Sequence, residues 1–337
     1  MSEASTQVGR RRTRRTVVAI VAAVVIVAGL AVIAWTLWGG RGGGGPLAQR
    51  ALYVDPDSLA ARAALDGETA AERDAATVLA ARATAIWLTP ERDPAGRAGE
   101  TVAAVVAAAT TRNALPVFAV YGITDRDCGN HSAGGLPPRE YLAWVDEIAA
   151  ALGQRAAVVV LEPDALALAP ECPDPDGRVA LVADALARFD GTGAILYLDG
   201  GHSAWLPADR MATLLADAGV AGARGFATNV SNTQTTEAER TYAAAVATAL
   251  RDAHGIDGAH AVVDVSRNGN GPPGDGAWCN VPGRAIGEDP HAIEGDDVLD
   301  GVLWVKPPGE SDGECNGGPP AGEWWPRQAV ELVRNAG

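Results

Sequence analysis

Lysine is all but missing from this chain: Lys306 is the single one in 337 residues. Phenylalanine (three) and methionine (two) are also scarce. Basic residues total 27 against 42 acidic ones, a formal charge of −15. Six arginines and one acid, Glu3, fall in residues 1–44, so the rest of the chain holds 21 basic and 41 acidic residues. A body that acidic repels phosphate backbones, which excludes nucleic acid as a partner. Several motifs are missing too. No Gly-x-Gly-x-x-Gly turn follows the first candidate strand. No Gly-x-Ser-x-Gly elbow supports an esterase, which would have to use Ser203 or Ser231 with His202. The five histidines lack His-Glu-x-x-His spacing, and the four cysteines form no Cys-x-x-Cys pair. A metal set would have to combine His131, His202 and acids, so neither a metal nor a cofactor is expected.

Long apolar runs are confined to one place. Behind the basic cluster Arg10–Arg15, the run from Val17 to Trp38 is broken only by Gly29 and Thr36. As a helix it would be about 33 Å long, enough for a bilayer core. The basic flank puts the N-terminus in the cytoplasm and the body outside. A cleaved secretory signal is the alternative, although its apolar region is usually shorter. The expected organisation is a basic tail (1–15), a transmembrane anchor or signal (16–38), a Gly-rich linker (39–50) and a body (51–337). Export suits Cys128, Cys172, Cys279 and Cys315, which allow three disulfide connectivities. The pairing Cys128–Cys172 and Cys279–Cys315 is favoured, because each bond would tether loops that fall at one site.

What the body has is alternation. Apolar runs at Leu52–Val54, Thr84–Leu88, Pro116–Tyr121, Ala157–Leu161, Ala194–Leu198, Gly225–Asn229, Ala261–Val265 and Val302–Lys306 read as strands. Ala-rich helical stretches separate them, around Glu68–Arg82, Glu100–Arg112, Pro138–Leu152, Arg178–Phe189, Pro207–Ala218 and Glu237–His254. Repeated strand–helix units imply an α/β fold with a parallel sheet, and seven or eight of them favour a β/α barrel. Residues 268–290 and 307–320 have no periodicity, and loops of that length in a compact domain are usually functional.

In such folds the site lies at the carboxyl ends of the strands. Asp125, Arg126 and Asp127 follow one strand there; Glu162 and Asp164 follow the next. Asp199 and His202, then Ser231 and Asn232, then Arg267 and Asn268, and finally Lys306, Glu310 and Asp312 follow the others. Nine tryptophans complete the pattern. Flat indole faces beside carboxylates and amides suit sugar rings and their hydroxyls. Cleaving a glycosidic bond needs two carboxyls with separated pKa values, one protonated and one ionised. This cluster of acids can supply them.

The segment Val158-Val-Val-Leu-Glu-Pro-Asp-Ala-Leu-Ala167 resembles the acid-bearing signature of glycoside hydrolase family 6, the inverting β-1,4-glucanases and cellobiohydrolases. Six more blocks agree in order. They are Arg126-Asp-Cys128, Tyr197-Leu-Asp-Gly-Gly-His202 with Trp205, Gly225 to Asn232, Ser266 to Pro272, Trp278-Cys-Asn280, and Leu303 to Gly313. The resemblance implies a distorted barrel of about seven parallel strands, preceded here by the N-terminal helix. It implies Asp164 as the acid that protonates the leaving oxygen, Asp127 as its support, and Asp312 as the base, with Ser132 holding the water. Tyr121 would lie beneath the distorted sugar. Trp87, Trp278, Lys306 and Glu310 would bind sugars on the non-reducing side; Asp199, His202, Trp205 and Asn232 would serve the other. The same two disulfides are implied. Gly122 and Thr124 depart from the family's Asp and Pro after Tyr121, and Gly200 replaces a usual Ala. Short loops after Trp278 and Asp312 point to an open cleft. No Ser/Thr/Pro linker or carbohydrate-binding module is seen. The expectation is therefore an inverting endo-β-1,4-glucanase with a monomeric body. A cellobiohydrolase, a cell-surface carbohydrate-binding protein without turnover and an envelope esterase are the alternatives.

Overall fold

The computed structural model describes residues 45–129, 133–274 and 276–337. The expected basic tail and membrane segment, residues 39–44 of the linker, and Ser132 lie outside the described residues. Among the described residues, no helix is long and apolar enough to cross a membrane.

Seven parallel strands form the frame: β2 (Ile86–Leu88), β4 (Val117–Val120), β5 (Ala157–Leu161), β6 (Ala194–Asp199), β7 (Gly225–Thr228), β8 (His260–Asp264) and β10 (Leu299–Leu303). They pair in the order β2-β4-β5-β6-β7-β8-β10, and the short antiparallel β9 (His291–Ala292) adds to β10. Helices α1 (Leu59–Asp66), α2 (Ala70–Ala80), α3 (Ala98–Thr111), α4 (Pro138–Leu152), α5 (Ala165–Leu168), α6 (Pro175–Ala187), α7 (Ala208–Asp217), α8 (Thr236–His254) and α9 (Pro326–Asn335) fill the connections or follow the last strand.

The sheet curls almost into a closed barrel. No ladder joins β2 to β10. Instead the Ala85 N–H donates to the Trp304 carbonyl at 2.8 Å, and the Trp87 indole N–H donates to the Val305 carbonyl at 2.8 Å. Period-two alternation then sorts the strand side chains. Val117, Ala119, Val158, Val160, Tyr197, Ala227, Val262 and Leu303 pack inside. Phe118, Val120, Val159, Leu161, Leu198, Phe226, Val263 and Val302 face the helices. Both faces are thus covered, which is why these strands read as continuous apolar runs. Helix α4 shows the complementary stripe: Tyr141, Trp144, Val145, Ile148, Ala149 and Leu152 are buried at three- and four-residue spacing.

Two sequence expectations need correcting. Leu52–Val54 is not a barrel strand. Only β1 (Ala51–Leu52) forms, and it pairs with the two-residue β3 (Ala114–Leu115) apart from the main sheet. Pro56 follows closely and has no N–H to extend a ladder. The last barrel strand begins at Leu299, not Val302. Asp300 hid that start, yet it is buried because Arg224 donates to it twice at 2.7 Å and the Tyr197 hydroxyl once at 2.6 Å.

The folded body also takes in residues before Ala51. Leu47 is 1% exposed and joins the inner barrel cluster beside Leu115 and Val117. Gly45 passes so close to Asp300 that a Cβ there would stand 2.7 Å from its Oδ1. Leu47→Ala should therefore leave a cavity in the barrel floor. It should cost about 2–5 kcal/mol and lower the melting temperature by about 5–10 °C, read by calorimetry on a body starting at Gly45.

Candidate active site

The carboxyl ends of the strands turn sharply. Asp125, Asp127 and Cys128 after β4, Glu162 and Asp164 after β5, and Asn229 and Ser231 after β7 all have φ between 46 and 67°. Asp and Asn tolerate that region; for Glu162 it costs about 1–2 kcal/mol. The cost is offset by the bonds Glu162 then makes. Its buried carboxylate accepts the N–H groups of Gly122 (3.0 Å) and Ile123 (3.2 Å), which fixes the turn behind Tyr121. Two disulfides brace the rims. Cys128–Cys172 ties the Asp127 turn to the segment after α5, and Cys279–Cys315 ties the Trp278 loop to the Asp312 loop. These are the two pairings expected.

A cavity of about 1000 Å³ opens at this end. Tyr121, Asp127, Asp164 and Asp312 line it, as do Trp87, His202, Trp205, Asn232, Trp278, Lys306 and Glu310. Strand order sets its two walls. Trp87 on β2 and Lys306 beyond β10 meet at the seam, with the ammonium 5.6 Å from the indole. His202 and Trp205 beyond β6 and Asn232 beyond β7 form the opposite wall, the two rings 5.4 Å apart. Trp278 is 47% exposed at the edge. Asp199 departs from its expected place. It does not line the cavity but lies buried under Asp164, because its Oδ1 accepts the N–H groups of Gly201 (2.9 Å) and Asp164 (3.1 Å).

The acids are held in opposite states. Burial raises the Asp164 carboxyl well above the usual range. The negative fields of Asp199, Asp127 and Asp312 raise it further, and Lys306 offsets this only in part. Burial alone would raise Asp312 as well. Arg267, Lys306 and the Asn280 N–H outweigh it and hold that carboxyl below its ordinary value. Arg267 Nη1 reaches both Asp312 oxygens at 2.9 and 2.8 Å, the Asn280 N–H donates at 2.9 Å, and Lys306 Nζ lies 3.5 Å away. Burial also lowers the His202 imidazole to about 4, so it is neutral at pH 7.

Four supporting residues escaped a role in the sequence reading. Glu162 and Arg267 stood among the polar groups after strands, and Asp264 lay at the end of its strand, without any sign of what they hold. Asp264 is fully buried and accepts four backbone N–H groups, from Ser231, Ser266, Val305 and Lys306 at 2.9–3.2 Å. Glu239 left one signal: it sits on the buried stripe of α8 with Tyr242, Ala243, Val246 and Leu250.

Opposed protonation of two carboxyls in a tryptophan-edged cleft is what glycosidic cleavage requires, and it places the protein among the glycoside hydrolases. Known proteins agree. The sequence model of the glycosyl hydrolases family 6 matches residues 47–336, and the chain belongs to that family. Endoglucanase A of Cellulomonas fimi is 40% identical over 293 residues, 86% of this chain and 62% of that protein. Endoglucanase 1 of Streptomyces halstedii is 39% identical over 295 residues, 83% of this chain and 88% of that protein. The 1,4-β-D-glucan cellobiohydrolase C of Emericella nidulans is 31% identical over 365 residues, 87% of this chain and 78% of that protein. This chain spans only 62% of the length of the endoglucanases A of Cellulomonas fimi and Thermobispora bispora. Among solved structures, an endoglucanase of Mycobacterium tuberculosis superposes with a TM-score of 0.79 at 41% identity. The match covers 86% of this chain and 99% of that one. That enzyme was solved with methyl-cellobiosyl-4-deoxy-4-thio-β-D-cellobioside bound.

Burial raises Glu162 and Glu310 from 4.5, and Asp199 from 3.8, to about 7 in each case. Their contribution to stability is fully present below about pH 4 and is lost as pH rises through 7. Asp312, Glu91 and Asp296 are lowered, so their contribution is present above their ordinary values and is lost in acid. The melting temperature should peak at about pH 4–6 and fall towards pH 8. Glu310→Gln should flatten the alkaline fall, measured by scanning calorimetry across that range.

Proposed function

We propose that the chain is an endo-acting β-1,4-glucanase that cleaves with inversion of anomeric configuration. One feature carries the reading: within the same cavity, burial and neighbouring acids push the Asp164 carboxyl well up, while Arg267 and Lys306 hold Asp312 below its ordinary value. Asp164 gives its proton to the glycosidic oxygen as the C1–O bond breaks. Water attacks C1 from the opposite face, and its proton leaves towards Asp312, directly or through a second water. Asp312 is a weak base, since Arg267, Lys306 and Asn280 already occupy its oxygens. It therefore takes the proton late, once positive charge has built up on the sugar. Asp127 adds negative field that keeps Asp164 protonated. Tyr121 packs edge-on to Trp87, ring centroids 5.2 Å apart, as a floor for the sugar being cleaved. Trp278 and Trp205 mark the outer reach of the chain on either wall.

Endo action is supported by the exposed edge at Trp278 and by the endoglucanase names of the relatives at 39–44% identity, against 31–33% for those named cellobiohydrolases. Residues 16–38 are proposed to anchor the body outside the cell, on the length and flanking charge of that run. The body is proposed to be monomeric.

Asp164→Asn should slow hydrolysis of barley β-glucan by about 10²–10⁴-fold. It should spare cellobiosides whose leaving group needs no protonation. Proton NMR of wild-type digests should show α-anomers first, with rapid loss of viscosity. Initial β-anomers would sink the inverting mechanism, and viscosity that stays high while cellobiose accumulates would favour exo action. Whole-cell fractionation should find the full chain in membranes and a body starting at Gly45 in the soluble fraction.

A further inference from the structure

The wall that bears His202 and Trp205 is a loop leaving β6. Its start is tied to the β7 end, where the Gly200 N–H donates to the Ala227 carbonyl and the Asn229 N–H to the Gly201 carbonyl, both at 2.8 Å. Two buried carboxyl groups clamp it further. Asp199 takes the Gly201 N–H at one end, as described above. At the other end the Ser203 N–H donates to Glu239 Oε1 at 2.9 Å. Glu239 reaches in from α8, outside the sheet, and is completely buried. One turn further along α8, the Tyr242 hydroxyl approaches the Gly200 carbonyl at 3.5 Å, so the helix touches the loop twice.

Glu239 is an expensive way to hold a loop. It occupies a position on an otherwise apolar stripe, and among the described residues its carboxyl meets no cation, only Ser203 and the Thr228 side chain. A fully buried acid with only neutral partners costs stability, and an apolar side chain of similar volume would suit the stripe better. Stability therefore does not account for it. Its bond to Ser203 does, because Ser203 stands between His202 and the turn that presents Trp205. The Trp205 N–H in turn donates to the His202 carbonyl at 2.9 Å.

We propose that Glu239 is a positioning residue that sets the reach of His202 and Trp205, and so determines how tightly the cleft grips glucose units on the wall formed beyond β6 and β7. The proposal rests on the glucan-cleft reading above. It concerns affinity for long chains, not the bond-breaking step, since Glu239 does not line the cavity.

The test is calorimetric titration of cellohexaose into an Asp164→Ala background, where no hydrolysis interferes. Glu239→Leu fills the apolar stripe and should fold with an unchanged or higher melting temperature, yet bind cellohexaose about tenfold more weakly. Glu239→Gln keeps an acceptor for Ser203 and should bind within about twofold of the parent. Adding Glu239→Leu to a variant that carries both His202→Ala and Trp205→Ala should weaken binding no further, because Glu239 acts through those two side chains. Unchanged affinity in Glu239→Leu, or a further loss on adding it to that variant, would overturn the proposal while leaving the glucan reading intact. Failure of the parent to bind cellohexaose at all would overturn both.

Discussion

The active end of this barrel hangs on one buried carboxylate. Asp264 sits at the end of β8, and its four accepted N–H groups come from three neighbouring strand ends. Those ends carry Asn232, Arg267 and Lys306. Burial raises this carboxyl above its ordinary value and its four donors offset that only in part, yet it cannot be replaced by an amide without turning donors against donors. Arg267 also donates to the Ser231 carbonyl, so the β7 and β8 ends are tied twice. The ionised state of Asp312 follows from where Arg267 and Lys306 are put.

Those two cations hold Asp312 ionised, and the ionised Asp312 is one of the three negative fields that hold Asp164 protonated. The state of Asp312 thus feeds into that of Asp164, on top of the burial that raises Asp164 most. The remaining acids moderate the result. Glu162, Asp199 and Glu310 are raised to about 7 by burial, so near neutral pH the cleft carries less negative charge than its composition suggests. A neutral ligand would meet a site polarised locally around Asp164, without a strong overall field.

Much of this was legible in the sequence, and the reason is physical. A parallel sheet covered on both faces must be built from unbroken apolar runs, so β5 stood out with both its limits, and the Ala-rich stretch that became α4 was bounded correctly between two such runs. The polar residues beyond those runs had to gather at one mouth, and all but two of the thirteen proposed catalytic and binding residues line its cavity. Ser132 falls outside the described residues, and Asp199 turned inward. What stayed hidden were groups whose work is on backbone N–H bonds. Asp264 and Glu162 looked like further members of an acid cluster, because a sequence does not say which carboxyl faces a substrate and which faces a main chain. β10 was cut short at its start for the opposite reason. Asp300 reads as the end of an apolar run until Arg224 and Tyr197, far away in sequence, are seen to satisfy it.

The two disulfides close loops of 44 and 36 residues, and in a chain-entropy picture each restricts the unfolded chain by about 4 kcal/mol. Neither crosses the barrel wall. One belongs to the rim that carries Asp127, the other to the rim that joins Trp278 to Asp312. Neither bond lies in a sheet ladder, so reducing them would leave the ladders unbroken, unbrace both lips of the cleft and give that freedom back to the unfolded chain. Reduction would thus be felt twice, in the stability of the whole body and in the shape of its working surface.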